Sequence, residues 1–453
     1  MNSPAKVAPS RIGDLVGAAN ITDDPRELAA YEIDGVRPSA AARPRAAEEV
    51  SELVKLAAAE KFAVIPTGAR TKLGIGMPPA RYDLAIDMTR LDRVISYDPG
   101  DLTLSVEAGI PLARLAATLA LRKQFLPLAV PFSDRATAGG TLSSGVDSPL
   151  REAYGTARDF VLGMEIVTGD GALAKSGGRV VKNVSGYDLH KLMLGAIGSL
   201  GIITRINFKT FPLPAETRGW FAVFSRAEDA FAFAQSIRKS PLAPHTLDIF
   251  DRRASVLFHT SVQLDKSQWA VAVSAAGNEK VMERCSRDLR TMGRAANAAQ
   301  FTALDEFAQS ELCQWIRGFP ALAAEHSLDA LIVKIASLPT QMGEVTQRLQ
   351  SIAANSGLPC AILARGAGVI YFALLPEERG APAVARIAPC VGEIFSAAAS
   401  SKQHATIPRC SLELKREMNI WGPAREDFPL MQRVKQAFDP HNIFSPGRFV
   451  GGL

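Results

Sequence analysis

Cysteine is scarce in this 453-residue chain, and no two of its five cysteines form a C-x-x-C pair. That excludes a readable iron–sulfur ferredoxin motif or a local zinc knuckle. The odd, scattered set (Cys285, Cys313, Cys360, Cys390, Cys410) suits a reducing compartment. Polybasic blocks are also missing, as is any alternation of basic and aromatic residues, so a net charge of +5 gives no nucleic-acid footprint. The opening MNSPAKVAPSRIGDL has no apolar signal core, and nowhere do eighteen apolar residues run together. The expectation is a cytoplasmic, soluble protein, with at most a peripheral association with the inner membrane. Six histidines (His190, His245, His259, His326, His404, His441) are spread singly, so no local metal cluster can be read.

What is present is ordinary for a globular protein: 47% hydrophobic and 21% charged residues, enough for two or three domains with sizeable cores. Helical spacing marks PRAAEEVSELVKLAAAE (44–60), followed by a short apolar strand from Phe62 to Ile65 that runs into PTGARTKLGIG. Strands are expected at YDLAIDM, RVISYD and LTLSVEAG, a helix over 111–122, a loop over 127–149, and strands over 160–168 and 202–211. Pro212 and Pro214 mark a boundary. A second, Ala-rich α+β region follows, with helices near 225–238, 278–292 and 341–355, and the chain closes with one amphipathic helix, FPLMQRVKQAF.

Three glycine-bearing segments carry the chemistry. The first is Pro66, Thr67, Gly68, Ala69, Arg70, Thr71 and Lys72, with Gly74 and Gly76 after it. A turn of this kind leaving a strand can aim successive backbone N–H groups at a diphosphate. It is neither a dinucleotide G-x-G-x-x-G nor a G-K-[ST] loop, and a plain solvent turn has a similar composition. The second runs from Pro131 to Gly145, alternating small and hydroxyl residues with glycines. A backbone wrapped closely round a flat or phosphorylated ligand needs that, whereas a flexible linker would not be framed by strands. The third is Gly195 to Thr204, a glycine-dotted turn entering an apolar strand, which packing alone also explains.

Taken in order and spacing, the three resemble the FAD-binding domain of the vanillyl-alcohol-oxidase superfamily, also called the p-cresol methylhydroxylase (PCMH) type. The resemblance implies an α+β fold: a PCMH-type FAD-binding domain of two α/β subdomains, followed by an α+β cap. Its expected boundaries are an N-terminal extension (1–29), the flavin domain (30–215), the cap (216–405) and a closing segment (406–453) that returns to the flavin domain. The implied contacts to noncovalent FAD are residues Pro66 to Lys72, Asp134, Thr137, Gly139, Gly140, Thr141, Ser144, Gly145, Ile203 and Arg448. A cation such as Arg448 near the isoalloxazine would favour the negative charge of reduced flavin. No histidine or cysteine lies in residues 66–76 for a covalent flavin link there.

The segment GGRVVKNVSGYDLHKLMLGAIGSLGIIT and the end ELKREMNIWGP…FDPHNIFSPGRF resemble the FAD-binding subunits of bacterial glycolate oxidase. Relatives that oxidise D-2-hydroxy acids unaided carry an H-x-G-D-G-N motif, which this chain lacks, and commonly read G-S-E-G-T-L-G where this chain has Ile197. Both departures point to a non-catalytic partner subunit. The implied partners are a catalytic flavin subunit and an iron–sulfur subunit, serving a small 2-hydroxy acid. A self-sufficient oxidoreductase and a scaffold with structural or absent FAD are the alternatives, and no catalytic residue is assigned. Within KNVSGYD, Lys182 or Tyr187 either sits near the flavin edge or belongs to a turn capped by Asp188.

Overall fold

The computed structural model describes residues 8–180, 186–258, 264–265 and 268–453, so Lys182 and His259 lie outside the described residues. The chain divides into two compact units: 1–147, 156–213 and 423–453 form one, and 148–155 with 214–422 form the other.

Among the described residues, the first unit holds two larger sheets and a two-stranded ribbon. In the first sheet the strands β1 (Ile21–Thr22), β2 (Ala40–Ala42), β3 (Val64–Thr67) and β4 (Leu84–Asp87) lie in the order β1-β2-β4-β3. Strand β4 is parallel to both β2 and β3. The crossover from β2 to β3 is the helix Ala47–Glu60, which buries Val50, Leu53, Val54 and Ala57 on one face, as the 3.6-residue spacing requires. Its C-terminus stops at Lys61, which takes a left-handed conformation and hands the chain to the buried strand.

The second sheet comprises β5 (Val94–Asp98), β6 (Thr103–Glu107), β8 (Val161–Val167), β9 (Leu173–Gly177) and β10 (Ile202–Lys209) in the order β5-β6-β10-β8-β9, all antiparallel. A separate ribbon pairs β7 (Gln124–Phe125) with β11 (Phe211–Pro212). One core, of Leu104, Val106, Leu115, Leu119, Phe160, Ile206 and Phe208 among others, fills the face of the second sheet.

The stretch 127–149 is not loop throughout, because a helix occupies Ala138–Ser144. Two adjacent glycines are poor helix formers, which hides it in the sequence. It starts because Thr137 caps it, the hydroxyl accepting from Gly140 N at 3.3 Å, and because Gly139 N donates to Ala108 O at 2.7 Å.

Of the closing segment expected over 406–453, only residues 423–453 belong to the first unit, and 406–422 belong to the second. Helix Phe428–Phe438 coincides with the amphipathic stretch read from the sequence. After it, Phe444 lies beside Val64 as a parallel bridge, and Ser445 N donates to Val64 O.

The second unit is one eight-stranded antiparallel sheet. Its strands β12 (Glu216–Phe224), β13 (Thr246–Asp251), β14 (Trp269–Gly277), β15 (Gln300–Ala303), β16 (Leu331–Ala336), β17 (Cys360–Arg365), β18 (Val369–Leu374) and β19 (His404–Arg409) lie in the order β15-β12-β14-β13-β17-β18-β16-β19. Helices Ala227–Lys239, Glu279–Ala295 and Met342–Asn355 fall where helical spacing places them, and Glu306–His326 contributes Leu312, Ile316, Phe319 and Ala323 to a core of Phe221, Phe250, Phe258 and Leu363. Helix Ala381–Ser400 is long and apolar enough to cross a membrane by length and composition, and it buries Ala383, Ile387, Val391 and Ile394 in this unit. The architecture is α+β.

Candidate functional site

In the first unit the three glycine-bearing turns meet, and the tightest contacts show it. A Cβ added at Gly68 would stand 2.1 Å from Thr137 Oγ1, so the first turn touches the start of the second. One at Gly198 would stand 2.6 Å from Pro66 Cγ, joining the third turn to the first. Backbone bonds complete the triangle: Gly195 N donates to Leu142 O at 3.0 Å, and Ile197 N to Ser143 O at 2.8 Å. These glycines are needed for close approach of backbone to backbone, before any ligand is considered.

The turns enclose a cleft of about 760 Å³, part of it open to solvent. Pro66 to Lys72, Thr137, Gly139, Gly140, Ser144, Ile203 and Arg448 all line it. Three expected contacts do not. Asp134 points outward with its side chain 73% exposed, 3.5 Å from Arg135, because it sits on a turn ahead of the helix. Thr141 is buried within helix Ala138–Ser144. Gly145 is the left-handed C-cap of that helix, and its role is contact with Gly195. The lining adds residues not singled out as contacts from the sequence, notably Ser143, Ile197, Gly198 and Met88. Ser143 was within reach of sequence reasoning, since it adjoins Ser144 in the same motif; Met88, from the turn after β4, was not.

The electrostatics are one-sided. Arg70, Lys72 and Arg448 line the cleft, and no aspartate, glutamate or histidine does among the described residues. Arg70 is held from behind: its Nη1 donates to Asp87 Oδ2 at 2.8 Å and its guanidinium lies 4.7 Å from the Tyr31 ring centroid. Tyr31 donates its hydroxyl to the same Asp87 oxygen at 2.6 Å, and burial, then this bond, pushes the phenol up. Arg448 is buried and donates through Nη2 to Leu73 O and Ile75 O, fastening the closing segment to the first turn. Burial brings it down to about 10. Lys72 is likewise brought down by burial, to about 8. The Thr67 hydroxyl is buried in the lining with no hydrogen-bond partner, which is a costly arrangement unless a ligand supplies one.

Turns bringing backbone close, an orphaned hydroxyl, three cations and no anion fit the diphosphate of a dinucleotide. Thr67 to Lys72 would face the diphosphate, and Thr137, Gly139, Gly140 and Ile203 the rest of the ligand. FAD, when bound, supplies the two-electron chemistry.

Ile197 is a second unusual feature. It adopts φ 46°, a left-handed conformation that a β-branched residue rarely takes. Its Cδ1 would lie 2.9 Å from a Cβ at Gly76, which itself has φ 107°. Tyr187 is 87% exposed, and Asp188 precedes the short helical turn Leu189–Leu192 without a side-chain cap bond, pairing instead with Lys191 at 2.7 Å.

In the second unit, β17 and β18 are joined by Gly366-Ala367-Gly368. Ala364 to Val369 repeats the glycine spacing of H-x-G-D-G-N, with Ala364, Ala367 and Val369 where that motif has His, Asp and Asn. Glycine spacing alone was the signal that could have located this hairpin. Among the described residues, no three His, Cys, Asp or Glu side chains cluster as a metal site.

Comparison with known proteins agrees with this geometry. Residues 38–177 match the FAD binding domain family, and residues 213–403 and 418–449 match the C-terminal domain of FAD linked oxidases. The glycolate oxidase subunit GlcD of Bacillus subtilis is 23% identical over 95% of this chain and 94% of its own length. The glycolate oxidase subunit GlcE of Escherichia coli is 38% identical over 36% of this chain and 46% of its own length. The crystal structure of p-cresol methylhydroxylase superposes with a TM-score of 0.79 over 97% of this chain and 95% of that one, at 16% identity. The fold and the cleft thus define an FAD-binding protein of the PCMH type. More particularly, the chain belongs to the FAD-linked oxidoreductases, among relatives that include glycolate oxidase subunits.

Proposed function

We propose that the chain is the FAD-binding subunit of a 2-hydroxy-acid dehydrogenase complex of the glycolate oxidase type, relaying electrons through its flavin. The observation that carries this is the composition of the two places where a catalyst would hold ionisable groups. The third turn presents Ile197 to the cleft, and the hairpin 364–369 offers Ala364, Ala367 and Val369. Taking a proton from an alcohol and holding a carboxylate need a base and a cation or metal beside the substrate. The 38% identity to the E subunit over 164 residues supports the same reading. The partners would be a catalytic flavin chain and an iron–sulfur chain, because five scattered cysteines supply no cluster ligands here. The complex would work on glycolate or D-lactate at the cytoplasmic side, at most peripheral to the inner membrane.

A second reading, a self-sufficient hydroxy-acid oxidoreductase, is favoured by the near full-length alignment with the D subunit. One absorbance experiment separates them. Purified chain should show flavin bands that dithionite bleaches and that neither glycolate nor D-lactate alters. Bleaching by either acid with no partner present would overturn the subunit reading. Protein that stays colourless after addition of FAD would overturn both.

A further inference from the structure

Lys72 differs from the other two cations of the cleft. Arg70 is committed to Asp87, and Arg448 to the carbonyls of Leu73 and Ile75. The one hydrogen bond of the Lys72 ammonium is to a neutral group, Thr71 Oγ1, at 3.2 Å. The ionisable groups around it can be followed element by element. The first turn contributes Arg70, and the closing segment Arg448. Behind them stand Tyr31, Tyr82, Asp34 and Asp87, coupled to Arg70 and Arg448. Helix Ala138–Ser144 and the start of β10 offer only Gly139, Gly140, Ser143, Ser144, Ile202 and Ile203. Among the described residues no carboxylate meets Lys72, and burial moves its protonation downward, to about 8.

We propose that Lys72 is the counter-charge of the bound diphosphate: it meets the anion as an ammonium, taking a proton from solvent whenever it starts neutral, so that FAD binding is proton-linked above neutral pH. This rests on the reading of the cleft as the FAD site. The linkage follows from the sign of the shift. An anion 3–4 Å away favours the ammonium, so the lysine titrates higher in the complex than in the free protein. Between those two values each binding event takes up part of a proton. The proton balance is simple: the neutral amine gains one H⁺ from buffer and the diphosphate keeps its charge.

The test is calorimetric titration of the flavin-free full chain with FAD at pH 6.5 and pH 9.0, in two buffers of different ionisation heat. Wild type should take up almost no proton at pH 6.5 and a large fraction of one at pH 9.0, where a group titrating near 8 is about nine-tenths neutral. Its affinity should fall by up to roughly tenfold between pH 7 and 9. Lys72→Gln should bind roughly tenfold more weakly at pH 7, with no uptake and no pH trend. Lys72→Arg, whose guanidinium stays charged throughout, should bind without uptake. Equal uptake by wild type and Lys72→Gln, or none by wild type at pH 9.0, would overturn the proposal while leaving the FAD site intact. Wild type that fails to bind FAD at either pH would instead overturn the reading of the cleft.

Discussion

The Lys435 ammonium lies 2.6 Å from the Asp439 carboxylate, one helical turn away, and both side chains are sealed from solvent. The same ammonium donates to Ser199 O at 2.8 Å and Phe444 O at 2.9 Å, while Asp439 accepts from Ile443 N and Phe444 N. One buried pair thereby ties the final helix to the third turn and to the segment at Phe444 that bridges to β3. Burial pulls the Lys435 ammonium down, and Asp439 pulls it back up. Lys435→Met leaves the carboxylate buried without its cation and should cost about 3–5 kcal/mol. Lys435→Met combined with Asp439→Asn should cost clearly less than the sum of the two single changes. Urea unfolding of all four proteins measures this, and strict additivity would refute the coupling.

Gly68 is a sharper probe of the cleft. A methyl group there would collide with Thr137 Oγ1 at 2.1 Å, forcing the first and second turns apart. Gly68→Ala should therefore lower FAD affinity by at least tenfold, on the order of 1.4 kcal/mol, while the second unit melts unchanged. Gly74 has open space around it, so Gly74→Ala is the control and should bind FAD within about twofold of wild type. Flavin fluorescence titration reads both, and equal affinities for the two variants would refute the geometry.

Backbone strain at Ile197 sets an unusual mutational sign. Its φ of 46° costs an L-residue roughly 1–2 kcal/mol, which glycine does not incur. Removing the side chain also forfeits burial worth roughly 2 kcal/mol. The terms nearly cancel, so Ile197→Gly should change stability by less than about 1.5 kcal/mol. Ile202, more deeply buried and extended in β10, has no strain to release, and Ile202→Gly should cost about 3 kcal/mol or more. Similar losses at the two sites would show that Ile197 is unstrained.

Asp251 gives the second unit a pH signature. It caps helix Arg252–Leu257, accepting from Ala254 N at 2.9 Å and Ile362 N at 3.1 Å, yet burial raises it from 3.8 to about 6. A carboxyl raised by folding contributes stability at low pH, and that contribution is lost as pH climbs from about 4 through about 6. Asp251→Asn keeps the acceptor without the charge. Stability of wild type relative to Asp251→Asn should thus fall by roughly 1–3 kcal/mol between pH 4 and 7. Thermal melts across that range provide the check, and a flat difference would show that the carboxyl is not raised.

Periodicity carried much of the local structure. Val50, Leu53, Val54 and Ala57 repeat every three or four residues, and the helix Ala47–Glu60 follows because one apolar stripe must be buried. The final helix was legible for the same reason. The helix Ala138–Ser144 was not, because its glycines oppose helix formation and only Thr137, Ala108 and the third turn hold them in place. Asp134 shows the converse: a motif position can be right in type and still face solvent, since one turn of backbone decides where a side chain points.

The sequence by itself determined the α+β class, the glycine-bearing turns and the lack of ionisable residues at Ile197, because these depend on local pattern and residue identity. Only the tertiary structure decided which cations serve the cleft. Arg70 meets Asp87 seventeen residues on, Arg448 meets Leu73 from 375 residues away, and Lys72 is left to a neutral hydroxyl. The pairing of charges depends on distance in space, through Coulomb attraction and burial, and no local pattern encodes that distance.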